Sequence, residues 1–355
     1  MRLDEHIRRC IRSRRVACGA LALLAALCAM LAWRYRPTGV EPGLPRTAFY
    51  VWQQKWTPAV ATAVQRAVPR MDALFALLCV IGKGTDGLGA QTFDIDWPAL
   101  ARAGVPVTVV FRVDEIDLTR AGHARELVAI IASVARKADA ASKAAGAQMS
   151  GIQLDYDCPT SKLETYGETL AAIRGELGSE CGALSITALP AWLRSRSCSR
   201  TCRQADFFVL QIHALQRPTT LDAPLVLYET RRFYAYLRGA SRIGTPFFVA
   251  LPTYGYAITF DEQGNFVRLA AEWGNSPPAA GQRTKHVMAD PAELATVVRS
   301  LRERRPRHCL GIAWFRLPVA TDTHNWTWDM LEHVLEGREP PKPTGHASSV
   351  GESMQ

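Results

Sequence analysis

The densest chemical pattern in this sequence is the run GIQLDYDCP at residues 151–159. Gln153, Asp155 and Asp157 recur at every second position, which puts them on one face of an extended strand, with Ile152, Leu154 and Tyr156 on the other. Successive residues of one strand face stand about 6–7 Å apart. Two carboxylates so placed against a confined interior repel each other, and the one nearer the opening is then the easier to hold protonated. An acid beside a base is the division of labour that cleavage of a glycosidic bond uses. The plainer reading makes Asp157 a helix cap or a salt-bridge partner at the end of a strand.

Further polar and aromatic residues close other apolar runs: Tyr50 and Trp52, Arg112 and Asp114, Gln211 and His213, Tyr254 and Tyr256, and Trp314 with Arg316. Flat rings interleaved with planar hydrogen-bonding groups suit the faces of pyranose sugars, although each ring taken alone serves packing equally well. Arginines in a protein interior need carboxylates, so Arg112 and Arg316 either lock Asp114 or Asp155 or meet an anionic sugar or phosphate. A metal-dependent hydrolase built on Asp155, Asp157 and His213 has suitable ligand types but no spacing signature, so no metal is assigned.

Eight short runs rich in β-branched and aromatic residues must position these groups: 48–52, 73–80, 105–110, 151–157, 183–188, 207–212, 246–251 and 310–315. Most lack alternation, as strands buried on both faces do. Helical periodicity fills the intervals, most clearly over 124–145, where Leu127, Ile130, Ile131, Val134 and Ala138 form a stripe, and also over 58–68, 161–177, 228–237 and 292–302. Eight alternations of strand and helix predict an α/β chain folded as a (β/α)8 TIM barrel. The rival doubly wound sheet needs a glycine-rich turn after its first strand, where this chain reads QQKWTP, and no cofactor is implied. A small insertion after strand seven, residues 254–290, reads as a hairpin turning near 263–265.

The formal charge of +9 is concentrated at the start. Residues 1–36 hold eight arginines against Asp4 and Glu5, which leaves +3 for the rest and excludes a nucleic-acid partner as the reading of that charge. The uncharged stretch 16–33 is long enough to span a bilayer, which predicts an N-terminal transmembrane or signal segment. Six arginines before it against two after orient the amino terminus to the cytoplasm, with the body in the periplasm, or secreted if the segment is cleaved.

The domain reading is therefore a basic segment with signal-anchor helix at 1–36, a proline- and glycine-rich linker at 37–46, the barrel at 47–336 and a disordered tail at 337–355. Cys79, Cys158, Cys181, Cys198, Cys202 and Cys309 would face an oxidising compartment. Bridges 158–198 and 181–202 are two geometrically allowed pairings, and Cys158 as a nucleophile lacks a base partner.

Strand four resembles the signature D-G-x-D-x-D-[WY]-E of the chitinase-like (family 18-type) glycoside hydrolases. Ser150 stands for its first acid, Gly151 for the glycine, Gln153 for the second acid, Asp155 for the third, Tyr156 for the aromatic residue and Asp157 for the terminal glutamate. The runs ALSITALP, DFFVLQIHAL, FFVALPTYGY and GIAWFRLP follow in the family's order, with Trp314 resembling its tryptophan floor and His213 in place of its sixth-strand tyrosine. The same likeness places the chain near a bacterial group of such barrels without an assigned function. Asp157 is one methylene shorter than the family's glutamate, a displacement of about 1.3–1.5 Å that costs roughly a hundredfold unless the pocket moves with it.

The resemblance implies a glycoside hydrolase acting on an envelope or exported polysaccharide, with Asp157 as general acid and Asp155 supporting it. Tyr50, Trp52, Arg112, Asp114, Gln153, Gln211, His213, Tyr254, Trp314 and Arg316 would hold the sugar. The partners implied are a carbohydrate and, through the N-terminal helix, the inner membrane. The alternative is a catalytically inactive barrel that binds glycan or a partner protein in the same cleft.

Overall fold

The computed structural model describes residues 41, 43–85, 87–212, 220–221, 230–270, 279–322 and 324–340. The predicted span at 16–33, His213 and most of the predicted tail lie outside the described residues. No helix among the described residues is long and apolar enough to cross a membrane.

All eight predicted runs form strands. In chain order the barrel strands are β1 (Arg46–Val51), β2 (Ala73–Lys83), β4 (Val107–Val113), β5 (Met149–Tyr156), β6 (Ala183–Ala188), β7 (Phe207–Gln211), β8 (Phe247–Pro252) and β12 (Cys309–Phe315). Each pairs in parallel with the next, and β1 pairs with both β2 and β12, so the sheet closes on itself. Closure removes the free sheet edges and leaves two surfaces, one inside the barrel and one outside it.

Side-chain parity sorts the residues between those surfaces. Phe49, Leu74, Phe111, Ile152, Leu154 and Ile186 point outward into the main core shared with the helices. Ala48, Tyr50, Phe75, Val110, Val209, Phe248, Ala250 and Ala313 fill the interior. The helix His123–Ala144 buries Leu127, Ile131, Ala135 and Ala138 against that outer wall, close to the predicted stripe. The helix Pro58–Ala67 starts where Thr57 accepts a hydrogen bond from the Val60 amide and Pro58 needs no donor. At the base of β5, a Cβ on Gly151 would lie 2.3 Å from the Ala183 carbonyl oxygen, so only glycine allows β5 and β6 to approach this closely.

Several elements carry weak sequence signals. β3 (Leu88–Thr92) is a largely exposed LGAQT strand that forms because β2 runs past the barrel rim and turns back on itself. The helices Trp97–Ala103, Arg196–Cys202 and Trp328–Leu335 are seven or eight residues long, about two turns, too short to display a full stripe. The predicted hairpin is present as β9 (Gly255–Phe260) and β10 (Phe266–Ala270). β11 (Arg283–Met288) joins the free side of β9 to make a three-stranded antiparallel sheet.

The two allowed disulfide pairings are not formed: all six body cysteines are free and buried. Cys198 turns instead toward Cys202, one helical turn away, with the sulfurs 3.9 Å apart. The Cys158 thiol donates to the Pro159 carbonyl. Burial pushes that thiol up to about 12, against the opposing pull of Lys162 and a hydrogen bond with Tyr156, which makes it a poor nucleophile.

Candidate active site

The carboxyl ends of the barrel strands carry two sets of side chains, and the charged one centres on Arg112. β4 and β5 pair with Arg112 opposite Asp155 and Val110 opposite Gln153, so the inward residues of β5 meet the inward residues of β4. Arg112 donates through Nε to Asp114 Oδ1 (2.7 Å), through Nη1 to Asp155 Oδ2 (2.8 Å) and through Nη2 to Asp157 Oδ2 (3.0 Å). Burial opposes the guanidinium charge, but Asp155 and then Asp157 outweigh it and hold the group firmly protonated.

Asp155 is 3% exposed. Its second oxygen accepts from Thr187 Oγ1 (2.7 Å) on β6 and from Gln211 Nε2 (2.8 Å) on β7. Asp157 lies one residue beyond the end of β5, with its side chain 47% exposed. The two carboxylates are therefore a fixed buried group and an exposed one joined by a cation, and the guanidinium between them offsets the mutual repulsion expected from their spacing.

One layer deeper, Tyr50 donates to Gln153 Oε1 (2.6 Å), and Gln153 Nε2 donates to Ser185 Oγ (3.3 Å), which in turn donates to the Ile152 carbonyl. Gln153 is fully buried and both ends of its amide are occupied. Burial, then the negative charge of Asp155, pushes the Tyr50 hydroxyl well above its ordinary value, while the bond to Gln153 pulls it down; it stays a neutral donor.

The aromatic set occupies β1, β12 and the end of β8. Tyr50 stacks on Phe75 with centroids 4.6 Å apart, and Phe315 meets the edges of Tyr50, Trp52 and Tyr254 at 5.0–5.5 Å. Tyr254 and Tyr256 share a hydrogen bond between their hydroxyls (2.9 Å). Arg316 is 2% exposed, binds Asp322 through Nε (2.9 Å) and Nη2, and lies 5.8 Å from the Tyr254 ring centre. The carboxylates predicted as partners for both arginines belong to Arg112 alone.

Trp314 requires a correction. It faces outward into the helix layer, 6.1 Å from Trp326, because parity on β12 gives the inward positions to Ala313 and Phe315. Phe315 holds the place expected of the tryptophan, one residue along.

Beside the charged set opens a cleft of about 850 Å³ lined by Lys83, Arg112, Asp114, Asp117, Asp157 and Lys162 among others. Lys162 bonds to Asp117 at 2.7 Å and, with the Thr119 hydroxyl and amide, holds that carboxyl well below its usual range. Tyr50, Trp52 and Tyr254 do not line this cleft. The sequence reading missed Thr187, Asp117, Lys162, Phe315 and Asp322. Thr187 carried a signal in the alternation of Ser185 and Thr187 with Leu184 and Ile186, whereas Asp322 sits in a loop without periodicity.

The chain belongs to the family described as a domain of unknown function, DUF3142, whose model matches residues 103–320. No curated protein matches the sequence. Among solved structures it is similar to a chitinase from Chromobacterium violaceum, at 11% identity and a TM-score of 0.57 over 82% of this chain and 98% of that one. It is also similar to the spore cortex-lytic enzyme SleL of Bacillus cereus (11%, 0.53, covering 86% and 76%) and to a class V chitinase of Pseudomonas fluorescens (14%, 0.52, covering 82% and 99%). At such identities the likeness establishes the glycoside hydrolase-like barrel fold and not the chemistry.

Proposed function

We propose that the barrel is a glycoside hydrolase for an envelope or exported polysaccharide, with Asp157 as general acid and Asp155 as the supporting carboxylate. The observation that carries this reading is that Arg112 holds two carboxylates at once, a buried, triply hydrogen-bonded Asp155 and, beside it, an exposed Asp157 that lines the open cleft. The fixed carboxylate supplies negative charge at a set place, and acting as the acid requires Asp157 to leave Arg112, take up a proton and deliver it to the glycosidic oxygen as the bond from that oxygen to the sugar carbon breaks. Tyr50, Trp52, Tyr254, Gln153 and Gln211 shape the interior behind it. In this reading residues 16–33 anchor the chain in the inner membrane and the barrel works on the periplasmic side.

The test is release of reducing ends by the full chain from chitin oligomers, peptidoglycan and bacterial exopolysaccharides, a panel that includes the material named for the similar chitinases. Asp157→Asn is expected to lower release by about a hundredfold or more, the usual worth of a positioned general acid. Release that survives the substitution would remove Asp157 from this role.

A glycan- or partner-binding barrel is supported by a different observation. Arg112 already engages all three neighbouring carboxylates, and Gln153 stands where the resemblance has an acid. Glycan retained equally by the native chain and Asp157→Asn, without release by either, favours this second reading.

A further inference from the structure

The amino ends of the barrel strands carry a charge pattern unlike that of the cleft. The approach to β12 reads RERRPRH over residues 302–308, and it lies between the approaches to β1 and β8, the two strands that flank β12. Hydrogen bonds lace these three segments into one surface. The Glu41 amide donates to the Arg305 carbonyl (2.9 Å), Glu41 Oε1 accepts from the His308 amide (2.6 Å) and Arg305 Nη2 donates to the Gly43 carbonyl (3.3 Å). On the other flank, Ser241 Oγ donates to the Arg307 carbonyl and the Phe247 amide to the His308 carbonyl, both at 2.8 Å.

Arg46, Arg242, Arg302, Arg304 and Arg307 are all exposed on this surface. Arg302 reaches the carbonyls of Leu335 and Glu336 at the adjoining helix end. The carboxylates there are Glu41, which accepts from the His308 amide, Asp72, which accepts from the Thr47 amide, and the exposed Glu303 and Glu336. At the opposite end of the barrel, Asp114, Glu115, Asp117, Asp155 and Asp157 surround Arg112, Lys83 and Lys162. The basic part of this end is thus the sector at the approaches to β1, β8 and β12, since Asp72, Glu180 and Asp206 lie before β2, β6 and β7, while carboxylates predominate around the cleft.

We infer that the basic sector rests on an anionic lipid surface, its arginines on head-group phosphates, which turns the acidic cleft away from the membrane. This goes beyond the proposed hydrolase activity and rests only on the proposed anchoring of residues 16–33 in a membrane. Arginine suits phosphate by its forked donors, and a bilayer rich in anionic lipid attracts clustered cations within a Debye length, about 8–10 Å at physiological salt. The same field repels the cleft end. Chain connectivity agrees: Glu41 and Gly43, the first described residues, enter the fold on this surface.

The experiment is modification of arginines by the neutral reagent phenylglyoxal in the full chain, reconstituted in vesicles of phosphatidylcholine alone or with one-quarter phosphatidylglycerol. Mass spectrometry compares Arg304 and Arg307 with Arg120, an exposed arginine at the cleft end. With phosphatidylglycerol, modification of Arg304 and Arg307 is expected to slow by about threefold or more and to recover in high salt, while Arg120 is unchanged. Protection that is equal in both vesicle types reports only tethering and overturns the proposal. Absence of protection, failure to associate with either vesicle, or slowing of Arg120 to the same extent overturns it as well. Inorganic phosphate at millimolar concentration serves as a third arm: if it alone gives the protection, the site takes free phosphate and not a lipid surface.

Discussion

The two walls of the barrel mouth are held by different physics. Around β4 to β7, Arg112, Asp155, Thr187 and Gln211 form a network in which a buried charge depends on several partners at once. Around β1, β8 and β12, Tyr50, Trp52, Phe75, Tyr254 and Phe315 are held by ring contacts that each contribute modestly. Loss of one member should therefore be costly on the first wall and mild on the second. Tyr50 connects the two, packing on one side and donating to Gln153 on the other.

Arg112→Met should give the largest loss of stability, about 3–5 kcal/mol, since it leaves the buried Asp155 carboxylate without its cation. Chemical denaturation measures it, and recovery of stability in the double variant with Asp155→Asn would confirm that the uncompensated charge is the cause. Tyr50→Phe keeps the ring contacts and removes only the donor to Gln153, for an expected loss of about 1–3 kcal/mol. A smaller effect would mean that Gln153 finds another donor and that the walls are not coupled through this bond.

Asp157→Asn should cost less than about 1 kcal/mol, because it removes one exposed contact with Arg112, even where it removes activity. A loss as large as that of Arg112→Met would show that Asp157 is structural. The smallest expected effect belongs to His324, beside the aromatic wall. Burial, then the His286 ring stacked 5.8 Å away, lowers its pKa, with Asp322 opposing. The unfolded chain then binds the proton more readily, so stability falls as pH drops through about 6.5 toward the lower folded value. His324→Gln should flatten that part of a denaturation series run from about pH 8 to about pH 5.

The barrel was legible because eight apolar runs and the intervening stripes are each a local consequence of burial. The charged wall was partly legible: the alternation of Gln153 and Asp155 fixes their shared face, and the need of Arg112 for a carboxylate points to Asp114 or Asp155. Trp314 was misplaced because a single residue of register on β12 decides which face a side chain takes. β3 and the third strand of the inserted sheet carried little apolar pattern and depend on neighbours far along the chain.

By itself the sequence determined the order of strands and helices, the face shared by Gln153 and Asp155, and the concentration of positive charge at the amino terminus, since these follow from side-chain type and period alone. Tertiary structure decided that Arg112 spans three carboxylates, that Phe315 and not Trp314 faces inward, that the cysteines stay apart, and that Arg46, Arg242 and the arginines of 302–307 share one surface. Those depend on strand register and barrel closure, which bring together residues from about forty to more than two hundred positions apart and leave no periodic trace along the chain.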